Sequence, residues 1–428
     1  MALLLIFSNL TLLSLLSMAV LSNQQPLLNS AEQESVYGVL DSINWAVPWR
    51  DIFPDNFCIS APHGVVCEAS FDESNGTVTE TAHIVELSFG YVSDFNPNPP
   101  CSPTQLSTLF SLPLSNTFGS SSSTNASTNL KFQYPTIIRN FTSLRRLVLT
   151  GNGFYGEIPG EIGNLVDLEE ITLSRNELAG ELPKTLAMLK KLKILDLSQN
   201  QFEGCLPELM GNLTLLLKLD LSSNRFGCKI PETFRQLQSL EFLDLSFNYF
   251  GNFGVPMFLG EIPRLKEVYL SGNLLGGKIP EIWENLGGVV RIGFSNMGLI
   301  GLIPASMGTY LRNLSYLGLD NNKLEGSVPE EFGLLQFAEI NLENNSLSGS
   351  VPFSTKVGEK LKLAGNTGLC VDDKLRWYTK NRGTLEQLQL CNKPDNPSAV
   401  IFNGASLLFF NLHVLFFSLG ILFVFTGL

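Results

Sequence analysis

Histidine is nearly missing from this chain, at three in 428 residues. One of them, His413, lies in an apolar terminal run, and His63 with His83 alone cannot supply the ligand set that zinc prefers. No metal site is expected. Basic residues are also short: 28 Lys and Arg stand against 40 Asp and Glu, a net charge of −12, and they form no cluster. That balance argues against nucleic acid or an anionic membrane surface as a partner. The Gly-x-Ser-x-Gly, His-Glu-x-x-His, phosphate-loop and kinase motifs are all missing. Carboxylate pairs such as Glu169-Glu170 exist, but neighbours on a strand point to opposite faces and cannot share a substrate. Neither catalysis nor a cofactor is expected.

What the chain does have is repetition. One phrase, clearest from Leu168 to Pro183, recurs from Leu144 to Asn366. The copies align on Asn152, Asn176, Asn200, Asn224, Asn248, Asn273, Met297, Asn322, Asn345 and Asn366, at steps of 23 to 25 residues that shorten to 21 only at the end. A fixed period of this size means a solenoid. Leu147 and Leu149, two apart, share one face of a short strand, and such a face is buried only when neighbouring coils stack. The Asn stands where the chain bends inward, and its amide can satisfy backbone groups that the bend takes out of strand pairing. Gly156, Gly180, Gly204, Gly277 and Gly326 fit the next bend. Prolines at a matching offset, from Pro159 to Pro352, stop further pairing. Met297 in place of the Asn, and one extra residue between Asn248 and Val255, predict local irregularity without a change of fold.

The phrase LxxLxxLxLxxNxLxGxIP, over about 220 residues, resembles the plant extracellular type of leucine-rich repeat. That type is found in receptor kinases, receptor-like proteins and polygalacturonase inhibitors. The resemblance implies an α/β solenoid rich in β, a horseshoe of roughly ten repeats with disulfide caps. Cys58 and Cys67 are similar to the family's paired-cysteine front cap, and Gly368-Leu-Cys370 to the opening of its rear cap, which pairs Cys370 with Cys391. Cys205 and Cys228 would come within disulfide range on adjacent coils. Cys101, the seventh, is left as a free thiol or an alternative partner.

The expected organisation is a signal peptide at 1–22, a cap at 23–83 covered by Trp45, Trp49 and Phe57, and a first strand with a Ser/Pro-rich insertion at 84–143. Repeats follow at 144–369, a second cap at 370–391 containing Arg376, Trp377 and Tyr378, a stalk at 392–406 and an apolar tail at 407–428. Residues 1–22 are apolar and end in a small-residue cleavage pattern. The tail runs to the last residue without Lys or Arg after it, like a glycolipid-attachment signal, with Ser398 or Asn403 as attachment residue. A retained spanning helix is the alternative. The expected location is the extracellular face of the cell membrane.

Six acceptors for N-linked glycans are Asn75, Asn125, Asn140, Asn212, Asn313 and Asn344. A glycan on Asn344 would wall off one end of the concave surface. Strand positions that face away from the leucines line that surface: Glu170, Thr172 and Arg175; Ile194 and Asp196; Lys218 and Asp220; Phe242, Asp244 and Phe247; Glu267 and Tyr269; Arg291; Tyr316 and Asp320. The column Asp196, Asp220, Asp244 suggests a cation site, although Leu-Asp-Leu-Ser is also the family's default strand. The aromatics Phe242, Phe247, Tyr269 and Tyr316, with Glu267 and Arg291, form the expected ligand-binding patch, since exposed aromatics on one face are enriched at binding hot spots. The expected function is a kinase-less receptor-like protein that binds an extracellular peptide, glycan or partner ectodomain. It would signal through a transmembrane receptor kinase or other ectodomain, with a role in plant–microbe interaction. The alternative is a secreted inhibitor of a wall-degrading enzyme.

Overall fold

A computed structural model describes residues 26–43, 47–60, 64–74, 77–90, 140–353, 360–372 and 389–391. The segments 1–22, 392–406 and 407–428, the insertion centre with Cys101 and Asn125, and Trp45, Asn75, Arg376, Trp377, Tyr378, Ser398 and Asn403 lie outside the described residues.

The leucine pairs build one sheet. Its thirteen strands are β1 (Leu27–Leu28), β2 (Val65–Ser74), β3 (Thr77–Gly90), β4 (Arg146–Thr150), β5 (Glu170–Thr172), β6 (Ile194–Asp196) and β7 (Lys218–Asp220), followed by β8 (Phe242–Asp244), β9 (Glu267–Tyr269), β10 (Arg291–Gly293), β11 (Tyr316–Gly318), β12 (Glu339–Asn341) and β13 (Leu361–Lys362). From β3 to β13 every pairing is parallel and each coil follows the last in order. The first strand is longer than its Ile84–Phe89 core because β2 folds back on it as an antiparallel hairpin.

Inside each coil the paired leucines, such as Leu195 with Leu197 and Leu219 with Leu221, are fully buried. Phenylalanines two residues after the ladder Asn add a stacked spine: Phe202, Phe226 and Phe250 lie with ring centroids 6.1 and 6.5 Å apart. Prolines 159, 183, 207, 231, 256 and 329 each open a 3-10 turn on the back of the coil, where a fixed φ is suited to a helix start.

The asparagines do what the spacing predicts. Asn200 donates from Nδ2 to the carbonyls of Leu173 (2.9 Å) and Leu197 (3.1 Å) and accepts the Leu178 N–H (3.1 Å). The pattern repeats at Asn176, Asn224, Asn248, Asn322 and Asn345. At Met297, fully buried, the amide column is interrupted, and the Gly276 N–H bonds the Met297 carbonyl at 2.9 Å instead.

A second, outer layer of short strands runs along the edge where the chain leaves the concave sheet. It comes in two pieces, one ending at Arg225–Gly227 and one beginning at Ile300–Leu302. A single bridge, Gly251 to Leu274, lies between them. The extra residue after Asn248 falls in this gap.

The front cap is α1 (Ser30–Ile43) with the hairpin. Asn29 accepts the Ala31 N–H at 2.8 Å and so caps the helix start. Val36, Val39 and Leu40 are buried against the first coil together with Phe57, while Trp49 packs at the margin. The bridges Cys58–Cys67, Cys205–Cys228 and Cys370–Cys391 are all present, with Cα separations of 5.6, 5.4 and 4.9 Å.

Candidate ligand-binding surface

The parallel register sets the first outward residue of each strand into one row and the second into another. The first row reads Ile194, Lys218, Phe242, Glu267, Arg291, Tyr316; the second reads Asp196, Asp220, Asp244, Tyr269, Gly293, Gly318. Five of the six expected patch residues meet here. The Phe242 and Tyr269 ring centroids are 5.8 Å apart. The Tyr269 hydroxyl donates to Glu267 Oε2 at 2.6 Å and accepts from Arg291 Nε at 2.6 Å. The Arg291 guanidinium then lies over the Tyr316 ring, 4.6 Å from its centroid.

Phe247 stands apart from this group. It occupies the turn after β8 with φ 53°, is exposed, and rests on Gly272, where a Cβ would lie 2.6 Å from its ring.

Two contributors lie outside the expected patch, although Lys218 belongs to the expected concave surface. The Lys218 ammonium lies 5.3 Å from the Phe242 centroid and 2.8 Å from Asp196 Oδ2, which extends the array one strand further. Gly293 and Gly318 leave space that the tyrosines fill: a Cβ on Gly293 would come within 2.7 Å of Tyr269, and one on Gly318 within 3.0 Å of the Tyr316 hydroxyl. Both rings therefore lie down on the sheet. The signal was a pair of glycines at non-bend positions beside tyrosines in the register.

Burial, followed by the neighbouring Glu267 acceptor, raises the Tyr269 phenol above its ordinary value. Burial, followed by Glu339 and Asp320, does the same for Tyr316. Both rings stay neutral donors at physiological pH.

The aspartate column is engaged with its own strands. Asp196, Asp220 and Asp244 each accept the N–H and hydroxyl of the serine two residues on, Ser198, Ser222 and Ser246. Asp220 is crowded by burial and by Asp196 and Asp244, which raise its pKa to about 7. No cluster able to hold a metal ion is found among the described residues. His83 bonds Glu32 at 2.7 Å, and the other Glu32 oxygen accepts the Ile84 N–H.

Of the glycan acceptors, Asn140, Asn212, Asn313 and Asn344 are exposed. Asn344 lies in the turn after β12, where its Nδ2 donates to Asn321 Oδ1 at 2.9 Å.

Residues 125–336 match the family model for a leucine-rich repeat region. Among solved structures, the chain is similar to the Arabidopsis receptor kinase HAESA, seen in complex with the peptide hormone IDA and the co-receptor SERK1. The identity is 32% and the TM-score 0.53, over 56% of this chain and 40% of that one. A TDR receptor is similar at 30% identity and TM-score 0.53, over 60% and 44%. The chain thus spans about two fifths of the length of these receptors. A plant ice-binding protein matches over 81% of this chain and 96% of its own, with TM-score 0.60 but 22% identity, a likeness of fold alone. No curated protein matches the sequence. The stack of parallel coils is a leucine-rich-repeat solenoid, in keeping with the match of residues 125–336 to that repeat region.

Proposed function

We propose that the chain is the binding module of a cell-surface, receptor-like protein of the plant leucine-rich-repeat type. It captures an extracellular peptide or glycan, or a partner ectodomain, on the concave sheet, and works through a transmembrane receptor kinase or another ectodomain. The observation that carries this reading is the continuous array Lys218–Phe242–Tyr269–Arg291–Tyr316 across five adjacent strands. Flat aromatic faces with a held guanidinium are the chemistry of a recognition hot spot. The likeness to two receptor structures at 30% identity or more supports it.

The membrane half of the reading rests on the apolar segment 407–428, with a glycolipid attached at Ser398 or Asn403 or with the segment spanning the bilayer. Glycans on Asn75, Asn125, Asn140, Asn212, Asn313 and Asn344 belong to the same extracellular setting. In layout the chain resembles the receptor-like protein called Piriformospora indica-insensitive protein 2, and the finer role is recognition of a root-associated microbe.

The test is binding of the purified ectodomain to a panel of secreted peptides and wall oligosaccharides. Tyr269→Ala with Phe242→Ala should abolish the binding that the unmodified protein shows, while secretion is unchanged. Equal binding by the double variant would remove the array from contention. Inhibition of a polygalacturonase by the unmodified protein would instead support the secreted inhibitor.

A further inference from the structure

The two ends of the thirteen-strand sheet are built differently. The rear strand, β13, is two residues long, and its Lys362 pairs with Glu339 at 2.5 Å. At the front, Glu86 of β3 is in register with Arg146 of β4 on one side and with Val66 of β2 on the other, so β2 closes the sheet. It is ten residues long, pairs with β3 alone, and its ladder is regular from Cys67 to Ser74. No backbone bond runs from β2 to any other described element. A terminal strand leaves a row of N–H and C=O groups unpaired, and proteins usually guard it by keeping it short or by placing Lys or Pro in it. β2 is long and has neither residue.

Val65 and Cys67 pack against the core, and Cys67 is bridged to Cys58. Beyond them the hairpin runs clear of the core. Glu68, Ala69, Ser70 and Phe71 are all exposed, Phe71 by 71%. Successive side chains alternate between the faces of a strand, so both faces stand open to solvent beside the free edge. Phe71 is in register with Glu80 of β3, which is also exposed. An aromatic ring and a carboxylate therefore share one face there.

The charge around this edge is one-sided. Asn23 to Gly90 hold ten Asp and Glu, one Arg and no Lys. The single arginine, Arg50, is held by Glu34 at 3.0 Å and Asp41 at 3.1 Å. Glu68 and Glu86 bond Arg145 and Arg146 of the next coil. Asp51, Asp55 and Glu80 make no ion pair among the described residues. β2 itself carries Glu68, Asp72 and Glu73 and no cation. A second copy laid on β2 would set these carboxylates against their own kind, and like charges across a strand pair are destabilising.

We infer that β2 is a strand-addition site for an extended segment of a second, different protein, in which Lys or Arg alternates with apolar residues. Main-chain bonds to the open edge hold the segment. Its cations meet Glu80 and lie against the Phe71 ring, and the carboxylates that bar a copy of this chain admit the opposite charge. The site lies ahead of β4 and uses no residue of the array on β7 to β11, so it stands apart from the proposed ligand-binding surface.

The test titrates a synthetic peptide of β2's length, alternating Arg and Val, against the full chain purified in detergent. The expected result is binding that weakens as salt rises, with slowed hydrogen exchange at the amides of β2. Binding should fall at least tenfold for the chain carrying Phe71→Ser with Glu80→Lys. It should fall as far for the same peptide with backbone N-methyl groups, which keeps its charge and removes its main-chain donors. Equal binding by the N-methylated peptide, by a peptide with Glu in place of Arg, or by the variant chain would each overturn the inference. So would pairing of two copies through β2, or no binding at all. The Phe242→Ala, Tyr269→Ala variant should bind the peptide unchanged, whatever it does to a concave ligand. Loss of the peptide in that variant would move it to the concave sheet and overturn the edge site.

Discussion

Asp220 has two carboxylates for neighbours in its row, Asp196 and Asp244, with Lys218 bonded mainly to the first at 2.8 Å and 3.8 Å from Asp220 itself. Because its pKa in the folded state is about 7, above the ordinary 3.8, the native protein holds a proton there that the unfolded chain releases. Its contribution to stability is full below about pH 4 and is lost as pH rises to about 7. Asp220→Asn should therefore be more stable than the unmodified protein at pH 8, by roughly 2 to 4 kcal/mol, and equal to it near pH 4. Thermal melts of both across that range would check this, and a constant difference would refute it. At this scale the sequence was only partly legible. The period placed Phe242, Tyr269, Arg291 and Tyr316 on one face. It could not show that a phenol joins Glu267 to Arg291, because rotamers depend on what the neighbouring strand leaves empty. Phe247 differs for a related reason: it lies three residues past β8, where the bend sets its conformation at φ 53° and strand alternation no longer applies.

Apart from the coil of Met297, the coils are held by amides that bond across the stack, so losing one is felt on both sides. Asn200→Ala would leave the buried Leu178 N–H without its partner and take one of two amide donors from each of the Leu173 and Leu197 carbonyls, which Asn176 and Asn224 still reach. The expected cost is about 1 to 3 kcal/mol, read from denaturant unfolding; a loss well under about 1 kcal/mol would mean that water or a shifted backbone replaces the amide. Removing the Cys205–Cys228 bridge, which closes a span of 23 residues, should cost about 3 kcal/mol, measured on the double Ser variant. Elements of this kind were the most legible part of the chain. Leucine spacing gave the strands, the Asn step gave the coils, and adjacent coils gave the bridge. The β2–β3 hairpin was not foreseen, since it precedes the first regular repeat and follows no period.

Over the whole molecule, each coil touches only its neighbours, so protection should be graded along the axis. Hydrogen exchange is expected to be slowest at β6 to β8 and to quicken toward β12 and β13; uniform protection would show a single cooperative unit. Membrane attachment is tested on intact plant membranes. Release by a phosphatidylinositol-specific phospholipase C is the expected outcome for a glycolipid anchor, and retention would favour a spanning helix. The open front edge was the least legible feature at this scale, because leucine spacing reports which strands pair and is silent on what is left unpaired.

The outer layer stops after Gly227 and resumes at Ile300, while the concave sheet runs on without a break. In mechanical terms the molecule is a laminate whose outer ply changes its stitching there. Six backbone bonds cross the gap outside any regular ladder: Tyr249 N–H to the Phe226 carbonyl, Leu274 N–H to that of Phe250, Asn252 N–H to Leu274, Gly254 N–H to Leu275, Gly276 N–H to Met297 and Ile300 N–H to Gly277. The load path along the outer ply is therefore continuous, and the coils of β8 and β9, which carry Phe242 and Tyr269, are tied to their neighbours through both plies.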